Sequence, residues 1–170
     1  MAYQSVFKRY ELKYLLTRKQ KKAVLQAMAP YMELDEYGRK TIRNIYFDTE
    51  NYRLIRKSLE KPAYKEKLRI RSYSKVSSED MVFVELKKKY DSVVYKRRMA
   101  LEENQAMDWV LGKKPCVKQS QISNEIDYVL QYYRTLAPAV FLTYEREAFF
   151  EPDGGDFRVT FDENILCRQE

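Results

Sequence analysis

Residues 81–101 contain two runs of alternating side-chain character, separated by a short polar turn at Tyr90, Asp91 and Ser92. Alternation at period two is typical of a β-strand whose two faces meet different surroundings. One face of this stretch carries charged residues, and the opposite face is mainly apolar. The charged face holds Phe83, Glu85 and Lys87 in the first run, and Val94, Lys96 and Arg98 in the second. The stretch therefore predicts a β-hairpin with one charged face.

The same alternation recurs elsewhere in the chain. Residues 64–74 place four cations on one face of a strand, and residues 7–14 place Arg9, Glu11 and Lys13 together. The four cations of the first segment are Lys65, Lys67, Arg69 and Arg71. A single hairpin of this kind is explained by a sheet with one face in water. The recurrence of long, mostly cationic side chains on several strands weakens that interpretation.

The remaining segments alternate between strands and helices. A helix begins at Thr17, which has capping-box spacing to Gln20. Further helices are predicted at 50–61, 102–111 and 120–136, and further strands at 39–48, 139–150 and 157–162. About seven antiparallel strands interrupted by helices indicate an α+β fold with the helices outside a curved sheet. The chain of 170 residues is expected to form a single domain spanning 1–170.

The composition excludes several classes of site. The chain has no histidine, which excludes histidine-based catalytic triads and histidine metal ligands. Its two cysteines, Cys116 and Cys167, give no sign of a thiolate metal cluster or a disulfide scaffold, so a cytoplasmic location is expected. Four glycines cannot build a P-loop or a dinucleotide fingerprint. No segment has the length and apolar character of a signal peptide or a membrane span.

The charged faces leave two interpretations of the sheet. With a net charge of +7, the expected partner is anionic. In an open sheet the charged faces are solvated, whereas a barrel of about eight strands encloses side chains or one slim ligand. The predicted lining is Lys13, Arg69, Arg71, Lys87, Lys96, Arg98, Arg146 and Arg158, with Glu11, Glu85 and Asp162. So large a cationic surplus cannot be buried unpaired, so a barrel requires water and a polyanion such as triphosphate or polyphosphate.

Six short motifs follow one another along the chain. They are Glu11-Leu12-Lys13, Arg69-Ile70-Arg71, Glu85-Leu86-Lys87, Lys96-Arg97-Arg98, Tyr144-Glu145-Arg146-Glu147-Ala148-Phe149 and Arg158-Val159-Thr160-Phe161-Asp162. In this order they resemble VTC domains, the polyphosphate polymerase branch of the triphosphate tunnel metalloenzymes, which are related to CYTH domains. The resemblance spans nearly the whole chain. It implies an antiparallel eight-stranded β-barrel tunnel, of which about seven strands are present here, with helices packed outside.

The resemblance also implies an activity and a set of site residues. VTC domains transfer the γ-phosphate of ATP to a growing polyphosphate chain, with Mn²⁺ or Mg²⁺. The residues implied to bind and activate the phosphates are Arg69, Arg71, Lys87, Lys96, Arg98 and Arg146. Lys13 and Arg158 are implied as further substrate contacts. Glu11 and Asp162 are implied either as metal ligands or as residues that orient a lysine, and Glu85 as a substrate-site residue that orients a lysine.

Simpler structural roles remain open for three of these residues. A salt bridge to a neighbouring cation is the alternative for Glu85. A pair that bridges two strands is the alternative for Arg158 and Asp162. Arg69 and Arg71 are expected to have no buried partner except the ligand. Alanine at both positions is therefore predicted to remove triphosphate binding and to leave the fold intact.

The chain departs from the family pattern in two places. The wider superfamily opens with Glu-x-Glu-x-Lys, whereas Arg9 occupies the first of these positions here, which leaves Glu11 as the single acid of the motif. VTC domains also continue to a further strand that carries a metal-binding glutamate, and this chain ends before it. The sequence is therefore interpreted as a truncated domain, or as one whose end is not included. An open side of the tunnel could leave this chain inactive.

Three functions are compatible with these observations. The first is an ATP-dependent polyphosphate polymerase. The second is an inorganic triphosphatase or polyphosphatase, which differs in admitting water as the attacking group. The third is a non-catalytic module that binds polyphosphate or RNA, and RNA binding would need exposed aromatic residues among the basic ones. No DNA partner is expected.

Overall fold

The computed structural model of the protein describes residues 5–169, apart from the side chains of Phe7 and Arg9. The strands are β1 (Val6–Tyr10), β2 (Glu33–Leu34), β3 (Lys40–Asp48), β4 (Tyr64–Ser72), β5 (Met81–Tyr90), β6 (Val93–Glu102), β7 (Ala137–Phe150) and β8 (Arg158–Gln169). The helices are α1 (Arg18–Met28), α2 (Arg53–Leu59), α3 (Glu103–Val110) and α4 (Gln121–Tyr133). The predicted α+β class is confirmed.

All eight strands belong to one curled antiparallel sheet. Their order is β1-β6-β5-β4-β3-β7, with β8 on the far side of β7 and the two-residue β2 also paired with β7. β1 and β8 are therefore the two edges. Between residues 5 and 169 no strand pairing joins these edges, so the sheet has the shape of a half-barrel.

The main core lies between the sheet and three helices. Leu68, Val84 and Leu86 are fully buried on one sheet face, and they pack with residues of α2, α3 and α4 such as Leu54 and Ile126. At the other end of the sheet, α1 packs on β8 through a second cluster that includes Met28 and Phe161. The helices thus cover the convex face, as predicted. None of the helices between residues 5 and 169 has the length and apolar composition that crossing a bilayer requires.

Local sequence signals account for the turn and caps around the sheet. Asp91 and Ser92 have φ angles of 44° and 68°, which are the left-handed conformations of a two-residue hairpin turn. The Thr17 side chain accepts a hydrogen bond from the Gln20 amide at 3.2 Å, and the Gln20 side chain accepts one from the Thr17 amide at 2.8 Å. The predicted hairpin and the predicted capping box are both confirmed.

Two strand lengths differ from the prediction. β1 ends at Tyr10, which pairs with Val93, the first residue of β6. Beyond Val93 the neighbouring chain turns into the hairpin, so residues 11–16 have no partner strand and adopt no regular structure. β8, by contrast, continues past Asp162 to Gln169 because β7 offers a partner along its whole length. Asn164, with φ of 52°, lies at the register shift between these strands.

Candidate functional site

Two rows of side chains cross β4, β5 and β6 on the face of the sheet that carries no helix, which we call the concave face. The lysine row consists of Lys67, Lys87 and Lys96, which are register partners on the three strands. The arginine row consists of Arg69, Glu85 and Arg98. The rows lie two residues apart on each strand, a distance of about 7 Å. Regular antiparallel pairing therefore brings six charged side chains together.

Contacts that skip a strand show the curvature of this face. Arg71 on β4 donates from Nη2 to the Tyr144 hydroxyl on β7 at 2.9 Å, across β3. Lys87 on β5 donates to Glu11, which follows β1, across β6. The charge of Arg146 on β7 also helps to lower the pKa of Glu11, although β1 and β7 are first and sixth in the sheet order. The curl of the sheet thus brings side chains of distant strands together.

Glu85 is the centre of the cationic cluster. Its side chain is fully buried, at 0% exposure, and Oε2 accepts from Arg69 Nε at 2.8 Å and Nη2 at 2.6 Å. Oε1 accepts from Arg98 Nε at 2.7 Å and from Lys96 Nζ at 3.3 Å. Arg71 Nε lies 3.9 Å from Oε2. Burial alone raises the pKa of Glu85, but these four cations lower it far below its ordinary value. The carboxylate therefore stays charged at neutral pH, and Glu85 makes the salt bridges that were the alternative for it. Its role in a substrate site stays a prediction.

β3 supplies further partners for the two arginines of β4. Arg69 donates from Nη1 to the Tyr46 hydroxyl at 2.7 Å, and Arg71 donates from Nε to Asn44 Oδ1 at 2.9 Å. The expectation that Arg69 and Arg71 have no buried partner except a ligand is therefore wrong. Alternation within β4 could not reveal this, because Asn44, Tyr46 and Glu85 come from other strands. Alanine at both positions would leave Asn44 and Glu85 short of partners in the protein interior.

The lysine row is much less well paired than the arginine row. Lys87 donates to Glu11 and Lys96 donates to Glu85, whereas the ammonium group of Lys67 makes no hydrogen bond or ion pair within the described chain. Burial lowers the pKa of all three lysines, because removal from water disfavours the ammonium form. The effect is largest for Lys96, whose pKa falls to about 7 because burial, together with the charges of the nearby arginines, outweighs the opposing charge of Glu85.

Arg146 and Asp162 form a bidentate pair between β7 and β8. Arg146 donates from Nε and Nη2 to the two carboxylate oxygens of Asp162, at 2.6 and 2.7 Å. The Arg146 guanidinium also lies 5.1 Å from the centre of the Tyr144 ring. Asp162 therefore does bridge two strands, but its cation is Arg146 and not Arg158. About 30% of each side chain remains exposed, so the pair stays open to solvent and to ligands.

The two carboxylates predicted to bind a metal are both paired with cations. Glu11 accepts from Lys87 and lies 3.8 Å from Lys13, and Asp162 is held by Arg146. The described residues contain no group of three acids or cysteines suited to hold a metal ion. Mg²⁺ and Mn²⁺ prefer several oxygen ligands, so the described residues do not fit a metal site by themselves. Metal binding by Glu11 and Asp162 stays a prediction.

The structure brings six of the predicted phosphate-binding residues together, and these are Arg69, Arg71, Lys87, Lys96, Arg98 and Arg146. The two predicted substrate contacts, Lys13 and Arg158, differ in position. The Lys13 side chain lies beside Glu11 in the irregular segment after β1, near enough for its charge to act on Lys87, but it is 81% exposed. The Arg158 side chain, at the start of β8, is exposed and makes no hydrogen bond or ion pair within the described chain. The Arg9 side chain, where the sequence departs from the superfamily pattern, lies outside the described residues.

The sequence-based list omits several residues of the cluster. The alternation within residues 64–74 correctly predicts that Lys67 lies on the same strand face as Arg69. Lys67 is absent from the site list because it belongs to none of the six motifs. Asn44, which is 1% exposed, and Tyr46 accept hydrogen bonds from the arginines. Tyr73 accepts from Arg98 at 2.7 Å. Asn44, in the middle of β3 and directly before Ile45, Tyr46 and Phe47, was the available signal for the buried network.

The titration of Lys96 predicts a pH-dependent affinity. A protonated Lys96 attracts a polyanion, so the affinity for linear polyphosphate is expected to fall about tenfold as the pH rises from about 6 to about 8.5. The free energy of unfolding should change in the opposite sense. Because the pKa is depressed in the folded state, the unfolded chain binds more protons between about pH 7 and 10.5, and stability rises with pH across that window.

Calorimetric titrations at both pH values test this dependence. Polyphosphate itself titrates in the same range, so the comparison that matters is with the Lys96→Gln variant. The wild-type affinity should fall more steeply with pH than that of the variant. Equal slopes for the two proteins would show that Lys96 does not titrate near pH 7.

Comparisons with known proteins agree with this architecture. The model of the VTC domain family matches residues 8–170. A candidate adenylate cyclase from Bacillus halodurans is similar in structure, with a TM-score of 0.50, 15% identity, and coverage of 94% of this chain and 79% of that chain. A candidate adenylyl cyclase from Hippeastrum with a dominant triphosphatase activity has a TM-score of 0.44, 13% identity, and coverage of 96% and 77%, respectively. No curated protein matches the chain.

The similarity to the Bacillus halodurans structure concerns the fold alone, because the identity is low. Both chains have an α+β architecture built on a curled antiparallel sheet. The family match is more specific, since it covers nearly all residues of the chain and all six motifs that line or flank the concave face. The protein therefore belongs to the VTC domain family.

Proposed function

We propose that the chain is a phosphotransferase that moves the γ-phosphate of ATP onto a polyphosphate chain bound on the concave face. The observation that carries the proposal is the charge of this face, where seven cations meet three carboxylates. The cations are Lys67, Arg69, Arg71, Lys87, Lys96, Arg98 and Arg146, and the carboxylates are Glu11, Glu85 and Asp162. A surplus of half-buried cations favours an anionic ligand, and family membership favours a phosphate chain.

The contacts around Glu85 support a role in positioning the arginines. Glu85, Tyr46 and Asn44 fix the guanidinium groups of β4 before any ligand arrives, so the cost of ordering them is met in folding. Fixed cations aimed at a phosphoryl group stabilise the charge that is redistributed during its transfer. Arginine offers paired donors to phosphate oxygens, and lysine offers a compact charge.

The proposed reaction does not need a general base. A terminal phosphate oxygen of the growing chain is already an anionic nucleophile. Its attack on the γ-phosphorus of ATP breaks the bond from this phosphorus to the bridging oxygen and releases ADP, and such a transfer depends mainly on alignment and charge neutralisation. The cationic face can supply both, which is consistent with a chain that has no histidine. We place the reaction in the cytoplasm, the location predicted from the cysteine content.

Hydrolysis is the second candidate function, and one observation favours it. Because β1 and β8 are not paired within residues 5–169, one side of the concave face is open to water. Water could then replace the phosphate chain as the attacking group. The two functions share their binding residues and differ in the product.

³¹P NMR of ATP incubated with the protein, with and without Mn²⁺ or Mg²⁺, distinguishes these functions. New resonances of internal phosphates are the result expected for the proposed polymerase. Orthophosphate without those resonances would identify a phosphohydrolase instead. Shifted ATP resonances without turnover would reduce the protein to a binding module. Unchanged resonances in every sample would contradict a phosphate-binding role for the concave face.

A further inference from the structure

Aromatic side chains border one end of the sheet, where β4 ends and β3 and β5 begin. The hairpin turn at Asp91 and Ser92 lies at the opposite end. Phe83 is on β5, Tyr73 directly follows β4, and Tyr37 shortly precedes β3. Tyr37 is 55% exposed and Tyr73 is 37% exposed. We call these three aromatic residues the aromatic rim.

The aromatic rim is connected to the cationic cluster through Arg98. The Arg98 guanidinium lies 4.4 Å from the centre of the Phe83 ring, and its Nη2 donates to the Tyr73 hydroxyl at 2.7 Å. The ring centres of Tyr73 and Phe83 are 5.6 Å apart in an edge-to-face arrangement. Arg98 also donates to Glu85, the centre of the cluster. A ligand group beside Tyr73 would therefore adjoin the residues that are proposed to hold phosphates.

Tyr37 extends the aromatic rim beside β3. Lys40, the register partner of Arg146, places its ammonium group 4.0 Å from the centre of the Tyr37 ring. A hydrogen bond to Glu36 raises the pKa of the Tyr37 hydroxyl, and the nearby Tyr73 makes a smaller contribution in the same direction. Tyr37 is thus held through its hydroxyl and by a cation at its ring, while more than half of the side chain stays exposed.

The chemistry of these rings distinguishes between two kinds of ligand. The face of an aromatic ring is electrostatically negative, so it offers nothing to the oxygens of an inorganic phosphate chain. A nucleobase has a π face of its own and stacks on exposed aromatic side chains, whichever base it is. The hydrogen bond to Arg98 explains the hydroxyl of Tyr73, but it does not account for an exposed ring on Tyr37.

We infer that the aromatic rim binds the nucleobase of a nucleoside triphosphate whose phosphates lie on the concave face. This inference rests on the proposed function, because it concerns the phosphate donor used at the same site. The exposed rings of Tyr37 and Tyr73 stack on the base. The rim thereby distinguishes a nucleotide from an inorganic phosphate chain, and it places the nucleoside at the end of the face that is remote from the hairpin turn.

Isothermal titration calorimetry with two ligands tests this assignment. The ligands are the β,γ-imido analogue of ATP, whose γ-phosphate is not transferred, and tripolyphosphate, which has no base. Tyr37→Leu should weaken binding of the nucleotide about tenfold, the effect of one lost stacking contact, and should change tripolyphosphate binding by less than about threefold. Tyr37→Phe keeps the ring and should keep the nucleotide affinity within about threefold of wild type.

Tyr90→Leu provides a matched control at the other end of the sheet. Tyr90 precedes the hairpin turn and is 55% exposed, like Tyr37, so its replacement should change neither affinity by more than about threefold. The same loss of nucleotide affinity in this variant would show a general effect of removing an exposed tyrosine and would contradict the inference.

The remaining outcomes separate the inference from the proposed function. Equal losses for both ligands in Tyr37→Leu, or an equal loss of nucleotide affinity in Tyr37→Phe, would overturn stacking by this ring. If wild type binds both ligands and Tyr37→Leu binds the nucleotide equally well, the inference alone fails. If wild type binds tripolyphosphate but not the nucleotide, the inference fails together with ATP as the donor. If wild type binds neither ligand, the proposed function fails and the inference fails with it.

Discussion

Replacement of Glu85 by glutamine is expected to lower the free energy of unfolding by about 3–5 kcal/mol, because it leaves buried cations without their counter-charge. Arg69, Arg98 and Lys96 all donate to this one carboxylate, which has no exposure to solvent. Glutamine keeps the shape of the side chain but offers only one oxygen and no charge. The loss should therefore be electrostatic and should not reflect a cavity.

Urea denaturation of Glu85→Gln measures this loss, and Glu125→Gln provides a matched control. Glu125 also accepts from two cations, Lys88 and Arg97, each at 3.2 Å, but on the helix-covered side of the sheet and with 22% of its side chain exposed. Solvent screening limits the contribution of such an ion pair to the free energy of unfolding to about 1 kcal/mol or less. Equal stability of the two variants would show that Glu85 is not the centre of the cluster.

The pH dependence and a ligand provide two further checks on Glu85. Its pKa is depressed in the folded state, so its contribution is present above the ordinary pKa of a glutamate and is lost progressively as the pH falls below that value. The stability of Glu85→Gln should not show this decrease at low pH, because glutamine does not titrate. Tripolyphosphate should also raise the melting temperature of Glu85→Gln more than that of wild type, because the ligand supplies the missing negative charge.

Replacement of Lys87 and Lys96 together by glutamine is expected to weaken binding of linear polyphosphate about a hundredfold, as two charge-assisted contacts are lost. The fold should be retained. Arg69 and Arg98 keep Glu85 as their partner, and Glu11 lies in a segment where water can solvate it. Because burial lowers the pKa of both lysines, their removal costs little stability.

Isothermal titration calorimetry and urea denaturation of the same samples check both halves of this expectation. Lys19→Gln with Lys22→Gln on α1 removes the same net charge from exposed positions and should preserve the affinity. Replacement of Lys87 and Lys96 tests the site better than replacement of Arg69 and Arg71. The partners of those arginines, Asn44 and Glu85, lie in the interior, so the loss of the arginines would also disturb the fold. Undiminished polyphosphate binding by the Lys87 and Lys96 variant would place the ligand elsewhere on the protein.

Much of the fold could be predicted from local patterns. Alternation at period two identified the hairpin of β5 and β6 and the charged face of β4, and a capping box marked the start of α1. The ends of β1 and β8 were less predictable because a strand continues only where a neighbouring strand offers hydrogen bonds. Tyr10 ends β1 because β6 begins at its partner Val93, and β8 reaches Gln169 because β7 extends beside it.

The candidate site shows the same division between local and long-range information. Residue types and their spacing on single strands determined that Arg69, Arg71, Lys87, Lys96 and Arg98 would share one face of a sheet, since side chains of a strand alternate between its two faces. Only the tertiary structure decided which partners they meet. Pairing between strands placed Glu85 between Arg69 and Arg98, and the curl of the sheet brought Tyr144 to Arg71. These contacts depend on register and curvature, which arise from interactions between residues far apart in the chain.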